Sequence, residues 1–165
     1  MNHLRPWLLI GGYRDTLDEA VLLQSGVRAL LQLAAPVHHP QVQCQYLAVE
    51  DGEPIAPTTF DRGLAFSCAC YQQHTPLLIA CGAGVSRSAT FAIATLKTIE
   101  SLSLWDAFWA VKTAHPAALP HPVLWESLGH YFHEPIPFLD LWRAVHATPA
   151  GATLTTSSRQ HDRLS

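Results

Sequence analysis

Leu77-Leu78-Ile79-Ala80-Cys81-Gly82-Ala83-Gly84-Val85-Ser86-Arg87-Ser88-Ala89-Thr90 runs from an apolar strand, through a loop of small residues, into a helix. A loop at a helix N-terminus turns several backbone N–H groups toward one point, and the helix dipole adds positive potential there. Gly82 and Gly84 let the backbone close around a tetrahedral anion. A cysteine at the base of such a cradle, here Cys81, is expected to have a lowered pKa and to be a thiolate near neutral pH. Arg87 adds a planar fork that matches two phosphate oxygens. The stretch therefore implies a cradle for phosphate with a nucleophile at its floor.

Working outward, Trp7–Ile10 reads as a buried strand stopped by Gly11-Gly12, and Asp15 or Thr16 as the cap of a helix that Gly26 ends. Val27–Leu33 is apolar apart from Arg28 and Gln32, as a strand covered on both faces would be. Ala34–Gln43 holds two prolines and reads as a loop. Gln45–Val49 is a short strand leading into the acidic loop Glu50–Pro57. A helix then runs from Thr58 or Thr59 to about Gln73, with Phe60, Leu64, Ala65, Cys68 and Tyr71 at helical spacing. After the strand Leu77–Ala80 come helices over Ser88–Glu100, Leu104–His115, His121–His133 and Phe138–His146. Strands alternating with helices, then a helical C-terminal half, predict a three-layer α/β domain with a central, mostly parallel sheet flanked by helices. Its site is expected at the carboxyl end of a strand. The domain is read as residues 1–146. Residues 147–165, rich in Ala, Gly, Thr and Ser, read as a mobile tail.

Cys-x5-Arg-Ser after a hydrophobic strand resembles the cysteine-dependent protein tyrosine phosphatases, and the Gly84–Ser88 ending is most similar to their dual-specificity branch. The likeness extends from about Trp7 to His133 and implies a phosphatase of the same three-layer fold. It makes Cys81 the nucleophile that forms a phosphocysteine intermediate. Arg87 becomes the phosphate grip, and Gly82, Ala83, Gly84, Val85, Ser86 and Arg87 supply the cradle's N–H groups. Ser88 would hydrogen-bond the sulfur and make it a better leaving group. Asp51 holds the family's place for the general acid, with Glu50 and Glu53 as rival carboxylates on the same loop.

One position departs from the pattern. The family usually carries His immediately before the cysteine, where its hydrogen bonds help hold the loop; here the residue is Ala80. An active enzyme with a less depressed Cys81 pKa is the expectation. A phospho-binding chain that cleaves weakly or not at all is the alternative. The residues between Cys81 and Arg87 include no lysine or second arginine, so the loop supplies charge for one phosphate rather than for a polyphosphorylated lipid headgroup. The resemblance therefore implies a phosphoprotein substrate, phosphotyrosine with phosphoserine or phosphothreonine also admitted. A small phosphomonoester is the non-protein alternative. Ser86, where related RNA 5′-triphosphatases tend to carry Asn, speaks against RNA.

Composition sets further bounds. At 165 residues, 48% hydrophobic and 14% charged, the chain has enough apolar content for one cored domain. A net charge of −3 and a pI near 6.3 give no global attraction to nucleic acid or anionic lipid. No apolar run reaches the roughly 18 residues of a membrane span. Trp7–Gly12 is too short for a signal peptide and reads as the first strand. Four cysteines without paired spacing suggest a reducing compartment, the cytoplasm, and a monomer is the default. Cys68 and Cys70 read as small core residues, and Cys44 as a conceivable disulfide partner for Cys81. His38, His39, His115, His121, His130 and His133 show no His-x3-His or Cys-x2-Cys pair, so they read as solvated or core-satisfied and no metal or other cofactor is implied.

Overall fold

Leu77–Cys81 (β5) is buried at all five positions, because it has a strand on each side and a helical layer on each face. The computed structural model describes residues 1–147. In it, β1 (Asn2–Arg5), β2 (Leu8–Gly12), β3 (Ala29–Gln32) and β4 (Gln43–Tyr46) join β5 in one sheet of order β1-β2-β5-β3-β4. β5 pairs parallel with β2 and β3, and β3 pairs parallel with β4. Only β1 runs antiparallel, on the edge. The helices are α1 (Glu19–Gln24), α2 (Pro57–Gln72), α3 (Arg87–Glu100), α4 (Leu104–Ala114), α5 (Pro122–Tyr131) and α6 (Phe138–His146). The expected three-layer α/β architecture is the one observed.

The two outer layers are unequal. Leu77, Ile79 and Cys81 of β5 point into a large core shared with α2 to α6, where Phe60, Phe91, Phe108 and Trp125 are fully buried. Leu78 and Ala80 point the other way, into a small cluster with Leu9, Leu22, Val27, Leu30 and Val42, covered by α1. The period-2 alternation of a strand thus puts the cysteine on the thick side and Ala80 on the thin side. α3 runs through the thick layer, and all residues from Ser88 to Leu96 are buried. A helix surrounded on every side has no polar face to show in its sequence.

Several boundaries differ from expectation, each for a local reason. β2 continues through Gly11 and Gly12, which pair with Ala80 and Cys81, instead of stopping at Ile10. Thr16 does not cap α1: its hydroxyl donates to the Tyr13 carbonyl at 2.7 Å within a 3-10 turn, Tyr13–Thr16. Asp18 is the cap instead, accepting from the Ala20 and Val21 N–H groups. β3 stops at Gln32 because that buried side chain turns aside to make two 2.7 Å hydrogen bonds with the Val37 backbone. β4 covers Gln43–Tyr46 rather than Gln45–Val49, although the Leu47 N–H still reaches the Gln32 carbonyl. On α2 the buried line is Phe60, Gly63, Leu64, Ser67 and Cys70, while Ala65 and Tyr71 are exposed and Cys68 is only partly covered. Gly63 rotates the contact face: a Cβ there would lie 2.4 Å from the Phe91 ring, so only glycine lets α3 approach. The predicted mobile tail lies outside the described residues from position 148 onward.

Candidate active site

Cys81 is the last residue of β5 and Arg87 the first of α3, so the loop between them sits at the carboxyl end of the central strand. Its glycines are sites of close backbone approach. Gly84 has φ +77°, and a Cβ there would lie 2.8 Å from the Gly11 carbonyl carbon. Gly12 faces the loop in the same way, 3.1 Å from the Gly82 carbonyl oxygen to where a Cβ would stand. The two glycines that end β2 are therefore the floor on which the loop closes.

The Cys81 sulfur is buried, and two groups face it. The Gly84 N–H donates to Sγ at 3.3 Å, and the Ser88 hydroxyl lies 3.2 Å from it. The Arg87 guanidinium is held from behind: Nη1 donates to the Val49 carbonyl at 2.9 Å and to the Leu33 carbonyl at 3.4 Å. Its Nε is buried without a partner, and Nη2 lies beside Gly82, 3.1 Å from where a Cβ would stand. A buried guanidinium N–H left unpaired is costly unless an anion completes it. The open edge of Arg87, the amide of Gly84 and the sulfur thus surround one site.

Asp51 lies on the exposed rim, and its Oδ1 accepts a 2.7 Å hydrogen bond from the Ser86 hydroxyl. Ser86 Oγ in turn accepts from the His121 backbone N–H at 2.9 Å. Glu50 and Glu53, the rival carboxylates, line a separate hollow with Pro54, Ile55 and Thr59. The fold therefore brings Cys81, the loop, Arg87, Ser88 and Asp51 together and leaves Glu50 and Glu53 aside. Glu50, though next to Asp51 in sequence, points elsewhere.

The other cysteines fall into different chemistry. Burial pushes the Cys70 thiol up to about 11 and raises that of Cys68, so both are protonated at neutral pH. Cys44 is not a disulfide partner for Cys81. It pairs with Leu30 on β4, two strands from β5, and packs on the opposite face of the sheet. That separation far exceeds the roughly 7 Å between Cα atoms that a bridge tolerates. All four cysteines are free.

Three histidines and a glutamine support the site from outside, and the sequence pattern did not single them out. His39 is buried, with Nε2 2.6 Å from the Thr16 carbonyl, and so secures the 3-10 turn whose Tyr13 N–H donates to Gly82 O at 3.1 Å. His115 Nε2 lies 2.8 Å from the Gly84 carbonyl. His121 caps α5 through its ring and supplies the N–H to Ser86. Gln32, Ala80, Tyr13 and Thr16 line a tight crevice beneath Cys81. A loop histidine carries no periodic signal, so only spatial proximity reveals these roles. Among the described residues no group of three His, Cys, Asp or Glu side chains is placed to hold a metal ion, and no helix is long and apolar enough to cross a membrane.

No protein-family model matches the chain. Individual relatives do. Dual specificity protein phosphatase 22-B of Danio rerio is 28% identical over 124 residues, covering 73% of this chain and 68% of the relative. Human dual specificity protein phosphatase 22 is likewise 28% identical, with 73% and 67% covered. Mouse dual specificity protein phosphatase 8 is 26% identical, but the match covers only 19% of that longer protein. Among solved structures, human DUSP28 superposes with a TM-score of 0.75 at 26% identity, over 86% of this chain and 99% of that one. A mouse putative dual specificity phosphatase complexed with zinc tungstate gives 0.74 at 25% identity, over 91% and 92%.

Proposed function

We propose, from the premise that the chain is a small dual-specificity-phosphatase-like member of the protein tyrosine phosphatase superfamily, that it hydrolyses phosphomonoesters on phosphoproteins through a phosphocysteine intermediate. One observation carries the reading: a buried sulfur faced by an amide and a hydroxyl, beside a guanidinium whose inner N–H has no partner. A phosphate seated there meets Arg87 and the loop amides on its equatorial oxygens, and Cys81 Sγ lies below for in-line displacement. The S–P bond forms as the ester oxygen leaves, taking a proton from Asp51. Asp51 then accepts a proton from water, which attacks phosphorus and releases the sulfur. Ser88 stabilises that leaving thiolate by donating its hydroxyl hydrogen.

The substrate class follows from the loop. Between Cys81 and Arg87 there is no second cation to meet further phosphates, which supports phosphotyrosine and phosphoserine or phosphothreonine over polyphosphorylated lipids. The chain acts without a metal, as a monomer in the cytoplasm, and on protein rather than nucleic acid. The test is a steady-state assay with p-nitrophenyl phosphate in EDTA across a pH range, with acid-quench trapping of the phosphoenzyme. Turnover with a trapped thiophosphate ester is the expected result. Binding of tungstate without turnover would favour the phospho-binding alternative that Ala80 raises.

A further inference from the structure

The loop's carbonyls are anchored outward by three hydrogen bonds. The Tyr13 N–H donates to Gly82 O at 3.1 Å, and the Leu119 N–H donates to Val85 O at 3.0 Å. Between them, His115 Nε2 lies 2.8 Å from Gly84 O. Every peptide described is trans. In a planar trans peptide the N–H points opposite to the C=O. A carbonyl held outward therefore turns the next residue's N–H inward. By this rule the three anchors orient the amides of Ala83, Ser86 and Val85 respectively.

Two of these anchors are backbone N–H groups that no substitution short of proline removes. The third is a side chain. The geometry points to His115 as a positioning residue of the cradle: its ring N–H holds the Gly84 carbonyl out and so aims the Val85 N–H at the bound oxyanion. This rests on the phosphatase reading and deepens it.

The surroundings determine which ring nitrogen donates. A carbonyl can only accept, so Nε2 carries the proton. Nδ1 is buried without a partner, and a second proton there would be an orphaned donor. The hydrogen bond to Gly84 therefore places a ring hydrogen on Nε2. Gly84 is the place where such a hold matters most. It is in the left-handed region at φ +77°, and its own N–H is the one that reaches Cys81 Sγ. Losing the hold on its carbonyl loosens the peptide that follows, because Gly84 has no side chain of its own to restrain it. Ala80, the residue beneath the loop, offers only a methyl group on the thin side of the sheet. Among the described residues, His115 is the side chain that holds the Gly84 carbonyl.

The experiment compares His115→Leu, His115→Asn and His115→Gln in the full chain. Glutamine places an N–H near the position of Nε2, asparagine is one methylene too short, and leucine has no donor. Readouts are kcat and KM for p-nitrophenyl phosphate, orthovanadate affinity and melting temperature. Leucine and asparagine should each lower kcat by about 10- to 100-fold and weaken vanadate by a similar factor, with glutamine within about threefold of wild type, since an aimed amide acts on the transition state. The melting temperature should move by no more than about 4 °C in all three, the shift of roughly 1 kcal/mol. Unchanged kcat and vanadate affinity in the leucine and asparagine variants overturns the assignment. So does an equal loss in all three, which would make the ring's shape rather than its N–H the requirement. If leucine alone fails to fold, the asparagine–glutamine contrast decides. A wild-type chain that binds vanadate without turnover sinks the phosphatase reading, while the affinity series still judges His115. One that binds no vanadate overturns both.

Discussion

The loop Cys81–Val85 and the helix α3 that follows it are neighbours in sequence held by opposite means. The loop is fixed by hydrogen bonds to its carbonyls and by backbone-to-backbone packing on Gly11 and Gly12. α3 is fixed by apolar burial on all sides, with Phe91 against Phe60 and Gly63. The consequence is a division of labour. The loop is shaped mainly by polar contacts to its backbone, and α3 mainly by its apolar side chains.

Substitutions can break that division if it is wrong. The largest expected effect is Cys81→Ser, which should reduce p-nitrophenyl phosphate turnover to background because the nucleophile is lost. Its melting temperature and its tungstate binding should stay near wild type; residual turnover with normal rates would place the nucleophile elsewhere. Asp51→Asn should cost on the order of 10²–10⁴ in kcat for poor leaving groups, and much less for good ones. A flat response across leaving groups would return the role to Glu50 or Glu53. Phe91→Ala tests the other side of the comparison. Removing that buried ring should cost about 3–5 kcal/mol of stability by denaturant titration. The surviving folded fraction should keep its kcat, and a folded variant with lost turnover would show that α3 does more than hold the core.

The smallest effect concerns Glu134, whose carboxyl accepts from Lys97 and from the Leu104 N–H and so ties α3, α4 and the α5–α6 link. The hydrogen bond from Lys97, then that from Leu104, holds this carboxyl below its ordinary value. A group with a depressed folded pKa stabilises above the ordinary carboxylate range and loses that contribution as pH falls through the folded value. The pair is partly exposed, so screening keeps its worth within about 0.5 kcal/mol. Glu134→Gln should therefore melt slightly lower than wild type at pH 7, with the gap closing below about pH 4.5, the ordinary value. A gap that persists in acid would mean that packing, not charge, is what Glu134 contributes.

Much of this was legible one residue at a time. α2 and α4 follow from the spacing of their apolar residues and the apolar β3 and β5 from run length, because burial on one face or on both leaves its mark in the sequence. The edge strand Asn2–Arg5 was not legible: half exposed and polar, it owes its place to pairing with β2. The same holds for α2, where helical spacing favoured Ala65 and Tyr71 until the absence of a side chain at Gly63 turned the buried face toward Phe91.

The amino-acid order alone determined the local chemistry: a cysteine, small residues and an arginine between a strand and a helix, whose backbone preferences and charge are intrinsic to those residues. The folded chain decided what distance in sequence conceals. It joined Asp51 to the loop through the Ser86 hydroxyl, set Cys44 on the far face of the sheet, and brought His115 to the Gly84 carbonyl. Contacts between residues thirty or more positions apart depend on how layers pack, and packing leaves no periodic trace for a loop side chain to carry.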